Sequence, residues 1–102
     1  MTTEAVELTV ELFEELTGER LLVELDPPER RPLELRLAGV RRLSPQFSSK
    51  RIPFALDLAG PTAEPLQQGT YSIYHQTFGT QPIFIVPVAK SGSTLLYEAI
   101  FT

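Results

Sequence analysis

Few side chains in this sequence could carry acid–base chemistry, and the first of them is a single histidine. The chain contains His75 but no cysteine and no tryptophan. A histidine can act as general base for a serine nucleophile, and Ser72 and Asp57 would complete such a group. No sharp-turn nucleophile motif surrounds any serine of the sequence. We therefore predict no catalytic residue and no enzymatic activity, with the His75 ring bonding a backbone carbonyl at the end of a hairpin.

A pair of carboxylates is the second arrangement that could do chemistry, because glycoside hydrolysis uses two acids flanking the sugar bond. Asp57, Glu64 or Glu98 could supply such a pair, although solvated surface carboxylates are far more common. Zinc needs three or four ligands, and no acidic residue lies close to His75 in the sequence. The glycines are single and spaced as turns, which does not indicate a phosphate-binding loop. The sequence therefore predicts no metal and no cofactor.

The composition is that of one ordinary globular domain covering residues 1–102. Hydrophobic residues make up 42% of the chain and charged residues 22%, which argues against disorder and against membrane insertion. The net charge of −4 argues against a nucleic-acid partner, and acidic residues interrupt the basic stretch from Arg20 to Arg51. The N-terminus lacks the basic start and apolar run of a secretory signal. We expect a cytoplasmic protein, or one that joins an exported assembly.

Six stretches with the residue types of β-strands position these side chains. Leu33, Leu35 and Leu37 alternate with polar residues, which indicates a sheet with one face in water. The Ala38-Gly39 step suggests a bulge in that strand. The predicted strands cover residues 21–25, 33–43, 52–58, 70–75, 81–88 and 95–101, and Gly60-Pro61 is expected to stop the third of them. The fold class is all-β, an antiparallel six-stranded barrel or tight sandwich.

One short helix is predicted before the first strand. Thr9 can serve as its N-cap, and Gly18 can end it. Leu12, Phe13 and Leu16 lie on one helical face, and a helix this short must pack on something to be stable. The target is the open end of a barrel or the uncovered face of a curved sheet. Residues 44–51 are expected to form a polar surface loop that carries Phe47.

The hairpin from Pro65 to Val88 is the centre of the predicted sheet, and Gly79 is expected to supply a positive φ in its turn. Proline cannot donate a ladder hydrogen bond, so Pro82 and Pro87 place the second strand at an edge or give it a bulge. A free edge can pair with another chain, although prolines can equally serve to prevent such pairing. The predicted interaction edge comprises Ile83, Ile85, Pro87, Tyr97 and Phe101.

Most of the chain resembles a family of short bacterial β domains of unknown function. The residues that carry the resemblance are Gly60-Pro61, Pro65-Leu66, Gln68-Gly69-Thr70-Tyr71, His75, Gly79, Ile83-Phe84-Ile85-Val86-Pro87-Val88 and Tyr97-Glu98-Ala99-Ile100-Phe101. Members of that family are associated with genes for phage-tail-collar or microcystin-dependent-like fibre proteins. The resemblance implies no catalytic residue.

Two classes of function follow from the sequence. The first is a structural or accessory domain that binds a protein partner or a second copy of itself, as in a tail-like or fibre assembly. The alternative is a small β-barrel whose open end accepts a small molecule or a carbohydrate.

Overall fold

In the part of the chain that the structure describes, six strands form a closed antiparallel barrel, accompanied by one short helix. The computed structural model describes residues 7–27, 29–44 and 52–102. The predicted loop residue Phe47 lies outside these ranges. The elements are α1 (Val10–Glu15), β1 (Arg20–Val23), β2 (Leu33–Arg42), β3 (Phe54–Pro61), β4 (Gly69–His75), β5 (Gly79–Ser91) and β6 (Thr94–Phe101). Around the barrel the strands follow the order β1-β2-β3-β6-β5-β4. The all-β prediction is therefore confirmed, and the barrel is the correct one of its two forms.

The alternation of apolar and polar residues decides which side of each strand faces inward. On β2, Leu33, Leu35 and Leu37 are buried, while Glu34 and Arg36 are exposed, because successive side chains of a strand point to opposite faces. The predicted bulge is present, since the register between β2 and β3 shifts between Leu37 and Gly39. The buried side chains of the barrel strands and their connecting turn are Leu21, Val23, Leu33, Leu35, Leu37, Phe54, Leu56, Leu58, Ile73, Phe78, Ile83, Ile85, Tyr97 and Ala99.

The helix α1 plugs one end of the barrel. The Thr9 hydroxyl oxygen accepts a hydrogen bond of 3.2 Å from the Leu12 N–H, as expected of an N-cap. Phe13 is fully buried. Its ring lies 5.8 Å from that of Phe54, 5.6 Å from that of Phe78 and 5.6 Å from that of Phe101, measured between centroids. A helix of six residues is not stable alone, so this aromatic contact holds it in place.

Two glycines meet requirements that a side chain could not. Gly79 has φ of +73° in the turn between β4 and β5, as predicted. Gly60 does not stop β3, contrary to expectation, because the strand continues to Pro61. A Cβ atom at Gly60 would lie 2.5 Å from Cδ2 of Leu35 inside the barrel. Close approach of a neighbouring strand, rather than chain termination, therefore explains this glycine.

An arginine on β2 holds α1 from outside the core. The guanidinium of Arg42 donates two hydrogen bonds to the Glu14 carboxylate, of 2.9 Å from Nε and 2.8 Å from Nη2. Glu11 adds a longer contact of 3.6 Å to the same guanidinium. The bonds from Arg42 lower the pKa of Glu14 below its ordinary value. A bidentate pair of this kind fixes orientation as well as distance.

This pair predicts a specific acid sensitivity. Because the pKa of Glu14 is lower in the folded than in the unfolded chain, its stabilising contribution is complete above the unfolded pKa and disappears as the pH falls through the folded pKa. We expect Glu14→Gln to be less stable than the wild type at pH 7 and to lose less stability on acidification. Urea unfolding at a series of pH values, from pH 7 down to the pH at which the protein unfolds without urea, measures the free energy of unfolding of both proteins. Glu15→Gln is the matched control, because Glu15 has no ion pair within the described residues. If the free energy of unfolding of Glu14→Gln fell with pH as steeply as that of the wild type, the prediction would be contradicted.

Candidate functional site

The single histidine links the turn after β4 to the residue that precedes β1. The backbone N–H of Thr77 donates to Nδ1 of His75 over 3.0 Å, so the ring hydrogen lies on Nε2 and is donated to Glu19 Oε1 at 2.7 Å. The ring also stacks on Phe78 at a centroid distance of 5.7 Å. The predicted bond to a backbone carbonyl is wrong, since the partners are a backbone N–H and a carboxylate. His75 thereby ties the β4–β5 turn to the start of β1.

The structure brings together two of the three candidate carboxylates. Asp57 and Glu98 are direct partners in the β3–β6 register. Arg41 donates two bonds of 2.9 Å to Asp57 and a further bond to Glu98. The hydrogen bonds to Asp57 and, to a smaller extent, to Glu98 raise the pKa of Arg41 above its ordinary value. One guanidinium therefore occupies both acids, and the group acts as a cross-strand ion pair over β2, β3 and β6.

Among the described residues, no group of three or more histidine, cysteine, aspartate or glutamate side chains is placed to hold a metal ion. Nor does any helix in that part of the chain have the length and apolar character needed to cross a membrane.

The predicted free edge strand is wrong, because each strand of the barrel has a neighbour on both sides, whereas the alternative prediction of a bulge in β5 is confirmed. β5 lies between β4 and β6, and β6 lies between β5 and β3. The register between β5 and β6 starts at Val86, four residues after Pro82, and a bulge follows Pro87. Pro82 therefore pairs only with β4, and Pro87 only with β6. Because neither proline has a regular ladder on both sides, β5 can contain them inside a closed barrel.

Three of the five predicted contact residues lie in the core. Ile83, Ile85 and Tyr97 are buried, and the Tyr97 hydroxyl accepts a hydrogen bond of 2.9 Å from the Leu66 N–H. Phe101 is partly buried and stacks on Phe54 at 4.7 Å. Pro87 is exposed and pairs with Tyr97. These residues do not form one surface.

The residues that alternate with the buried ones on β5 and β6 form an outer surface that was not predicted from the sequence. Phe84 is 50% exposed, Val88 54% and Ile100 58%. Val86 and Glu98 are direct partners, so Phe84 and Ile100, each two residues away, lie on the same outer side of the two strands. We call Phe84, Val86 and Ile100 the β5–β6 outer patch. Val88 lies in the bulge after Pro87, where the alternation of sides is interrupted, and is not included in it. The ion pair of Arg41 with Asp57 and Glu98 borders it.

The sequence indicates a strand at this patch but not which of its side chains face outward. Residues 83–88 read IFIVPV, an apolar run without the polar alternation that marks an inner and an outer side. Such a run identifies a strand but does not say which set of side chains faces the core. The structure assigns Ile83 and Ile85 to the core and Phe84 to the outside.

Comparison with known proteins gives a family. A family model described as a domain of unknown function, DUF6916, matches residues 8–101. No curated protein matches the chain. No solved structure matches it.

Proposed function

Because the chain belongs to the DUF6916 family, a domain of unknown function, we propose its function from its own surface: a non-enzymatic domain that binds protein through the β5–β6 outer patch. The observation that carries this proposal is the exposure of Phe84 and Ile100, each at least half accessible, on the same outer side of neighbouring strands. Single exposed apolar residues are common on protein surfaces, whereas contiguous ones mark interaction sites.

The arrangement of the patch suits a protein partner. Interfaces combine a central aromatic or aliphatic anchor with a polar rim. Phe84 provides the aromatic anchor, and the ion pair of Arg41 with Asp57 and Glu98 provides the rim. Arg41 bonds both acids, so the group carries one net negative charge, and each of its charges already has a partner when the interface covers it.

The partner we propose is a second copy of the chain. A two-fold interface uses the same surface on both subunits and must be complementary to itself. The patch meets this requirement because it is bordered by charges of both signs, so that Arg41 of one copy can face Asp57 or Glu98 of the other. We further propose that this contact serves a tail-like or fibre assembly, a setting that rests on the family resemblance alone.

Phe84→Glu tests the proposal. We expect the wild type to associate reversibly as its concentration rises, and the variant to dissociate at least about 30-fold more readily, the effect typical of a central aromatic contact. Sedimentation velocity over a wide concentration range measures this. Tyr74→Glu is the matched control, because Tyr74 is 40% exposed on β4 and lies outside the patch, and it should associate like the wild type.

The other outcomes are equally decisive. A wild type that stays monomeric but captures a co-expressed fibre protein, with capture lost in Phe84→Glu, would support the interaction role and overturn the second copy as partner. A monomer that captures nothing would overturn both.

The alternative of a ligand inside the barrel receives no support from the geometry. The interior positions are occupied by packed side chains such as Leu35, Leu37, Leu56 and Tyr97. The clefts of the described structure that border β1 and β2 are open and run along the outer wall.

A further inference from the structure

Two arginines face each other on the outer wall of the barrel, far from the β5–β6 outer patch. Arg20 of β1 and Arg36 of β2 are direct partners in the antiparallel register, and both are exposed. Side chains in such positions have Cβ atoms about 5 Å apart, and like charges placed there destabilise the sheet. The fold therefore tolerates an unfavourable contact at this point.

The other two strand arginines of the described chain are neutralised, which makes this pair unusual within the molecule. Arg41 and Arg42 each form short bidentate bonds to a carboxylate. Arg20 has one longer contact, 3.4 Å to Glu34. Arg36 has no ion pair with any described residue. Positive charge is thus left uncompensated at Arg36 in a chain whose net charge is −4.

The two arginines line a cleft that has hydroxyl groups on its other wall. The cleft has a volume of about 340 Å³ and is bordered by Arg20, Arg36, Ser93 and Thr94, with Glu34 also at its margin. Residues 59–61 of β3 also border it, and Arg36 is the direct partner of Ala59. We call this the arginine cleft. The short side chain of Ala59 leaves space next to Arg36 for a bound group.

We infer that the arginine cleft binds a tetrahedral oxyanion of the phosphate type. A guanidinium offers N–H groups in a planar fork that matches phosphate oxygens. Phosphate has oxygens pointing in several directions, so it can accept from Arg20 and Arg36 on one wall and from the hydroxyls of Ser93 and Thr94 on the other. A carboxylate has two oxygens in one plane and would leave one wall without a partner.

The neighbouring space indicates a phosphate monoester of a small organic molecule rather than inorganic phosphate. A second cleft of about 570 Å³ shares Glu34 and Pro61 with the arginine cleft. It is lined by the apolar residues Leu22, Pro32 and Leu33, by Arg31, and by a second acid, Glu64. The esterified group can lie against these side chains while the phosphate occupies the arginine cleft.

Glu34 acts against such a ligand. Its carboxylate contacts Arg20 and borders both clefts, so it competes with the anion for the same guanidinium. Removal of this charge should therefore strengthen binding, which a merely structural role of the arginines does not predict.

Isothermal titration calorimetry at constant ionic strength tests the site, with inorganic phosphate, phenyl phosphate and benzoate as probes. We expect phenyl phosphate to bind more tightly than inorganic phosphate, and benzoate to bind weakest. Arg36→Gln should weaken phenyl phosphate binding about tenfold or more, the effect of losing a charged hydrogen bond. Glu34→Gln should strengthen it. Equal binding of both phosphates would reassign the site to inorganic phosphate and overturn the monoester.

Matched variants separate the cleft from general charge effects. Arg30→Gln removes an exposed loop arginine outside both clefts. Glu15→Gln removes an acid on α1. This helix packs beside the Arg42 end of β2, about 20 Å along the strand from Arg36. Neither should change the affinity. Equal weakening by Arg30→Gln and Arg36→Gln would show unspecific charge attraction and overturn the inference.

Thermal unfolding gives a second measurement. Without ligand, Arg36→Gln should unfold at the same temperature as the wild type or a higher one, because a like-charge contact is removed. Phenyl phosphate should raise the unfolding temperature of the wild type and have less effect on the variant. A lower unfolding temperature of the unliganded variant, or no phosphate effect on the wild type at millimolar concentration, would overturn the site. Phe84→Glu should bind phosphate normally, which keeps this test independent of the proposed protein contact.

Discussion

Phe13→Ala should remove most of the stability of the fold. Replacing a buried phenylalanine by alanine costs about 3–5 kcal/mol, and domains of this size are stable by about 5–15 kcal/mol. The Phe13 ring contacts those of Phe54, Phe78 and Phe101, so its loss opens a cavity where the helix meets the barrel. We expect the melting temperature to fall by more than about 10 °C, which differential scanning calorimetry measures.

Tyr74→Ala provides the control, because it removes an aromatic ring from the outside of β4, away from the β5–β6 outer patch. Tyr74 is 40% exposed, and surface substitutions change stability by about 0.5 kcal/mol or less. If the two variants melted together, α1 would not be closing the barrel through Phe13.

Gly60→Ala should destabilise the barrel by about 1–3 kcal/mol, the range observed for overpacked cores. The added Cβ would lie 2.5 Å from Cδ2 of Leu35 and 3.5 Å from Cε1 of Tyr97. Leu35 is fully buried, so it cannot move away without disturbing its neighbours. Urea unfolding of the variant measures the cost. Gly39→Ala is the control, since its nearest contact would be an ordinary 3.5 Å to Asp57 Oδ2.

A double-mutant cycle identifies the contact responsible. Leu35→Ala alone should cost about 2–5 kcal/mol through its cavity. Combined with Gly60→Ala, the loss should be smaller than the sum of the two by about 0.5 kcal/mol or more, because the new methyl group occupies space that Leu35 has vacated. Simple additivity would show that the two side chains do not compete for the same volume.

The elements of the fold could be predicted because their signals are local. The Leu33, Leu35 and Leu37 alternation defines β2, and the Thr9 cap defines the start of α1. The turn at Gly79 depends on backbone freedom that glycine alone supplies at no steric cost. Each of these signals involves residues within a few positions of one another, so neighbouring residues were enough.

Most of the errors concern contacts between distant residues. Gly60-Pro61 has the composition of a strand end, yet β3 continues through both residues because they pair with Leu95 and Thr94 of β6. Pro82 and Pro87 predict an edge or a bulge; the bulge is present, but β5 has neighbours on both sides, β4 and β6. The closure between β1 and β4 rests on two residue pairs, Leu22 with Tyr74 and Val23 with Ile73. No local pattern reports a contact of that sequence separation.

The same division applies to the candidate sites. The sequence by itself determined six antiparallel strands, a short helix that must pack on them and a shortage of catalytic side chains, because residue type and period set these. Only the tertiary structure decided that the strands close into a barrel and that the helix covers one end of it. The tertiary structure alone places Phe84 on the outside while Ile83 and Ile85 face the core. It also decided that Arg41 is neutralised by Asp57 and Glu98, whereas Arg36 stands opposite Arg20. The physical reason is strand register: which side chains meet across a sheet depends on how the strands align, and a shift of one residue reverses every face.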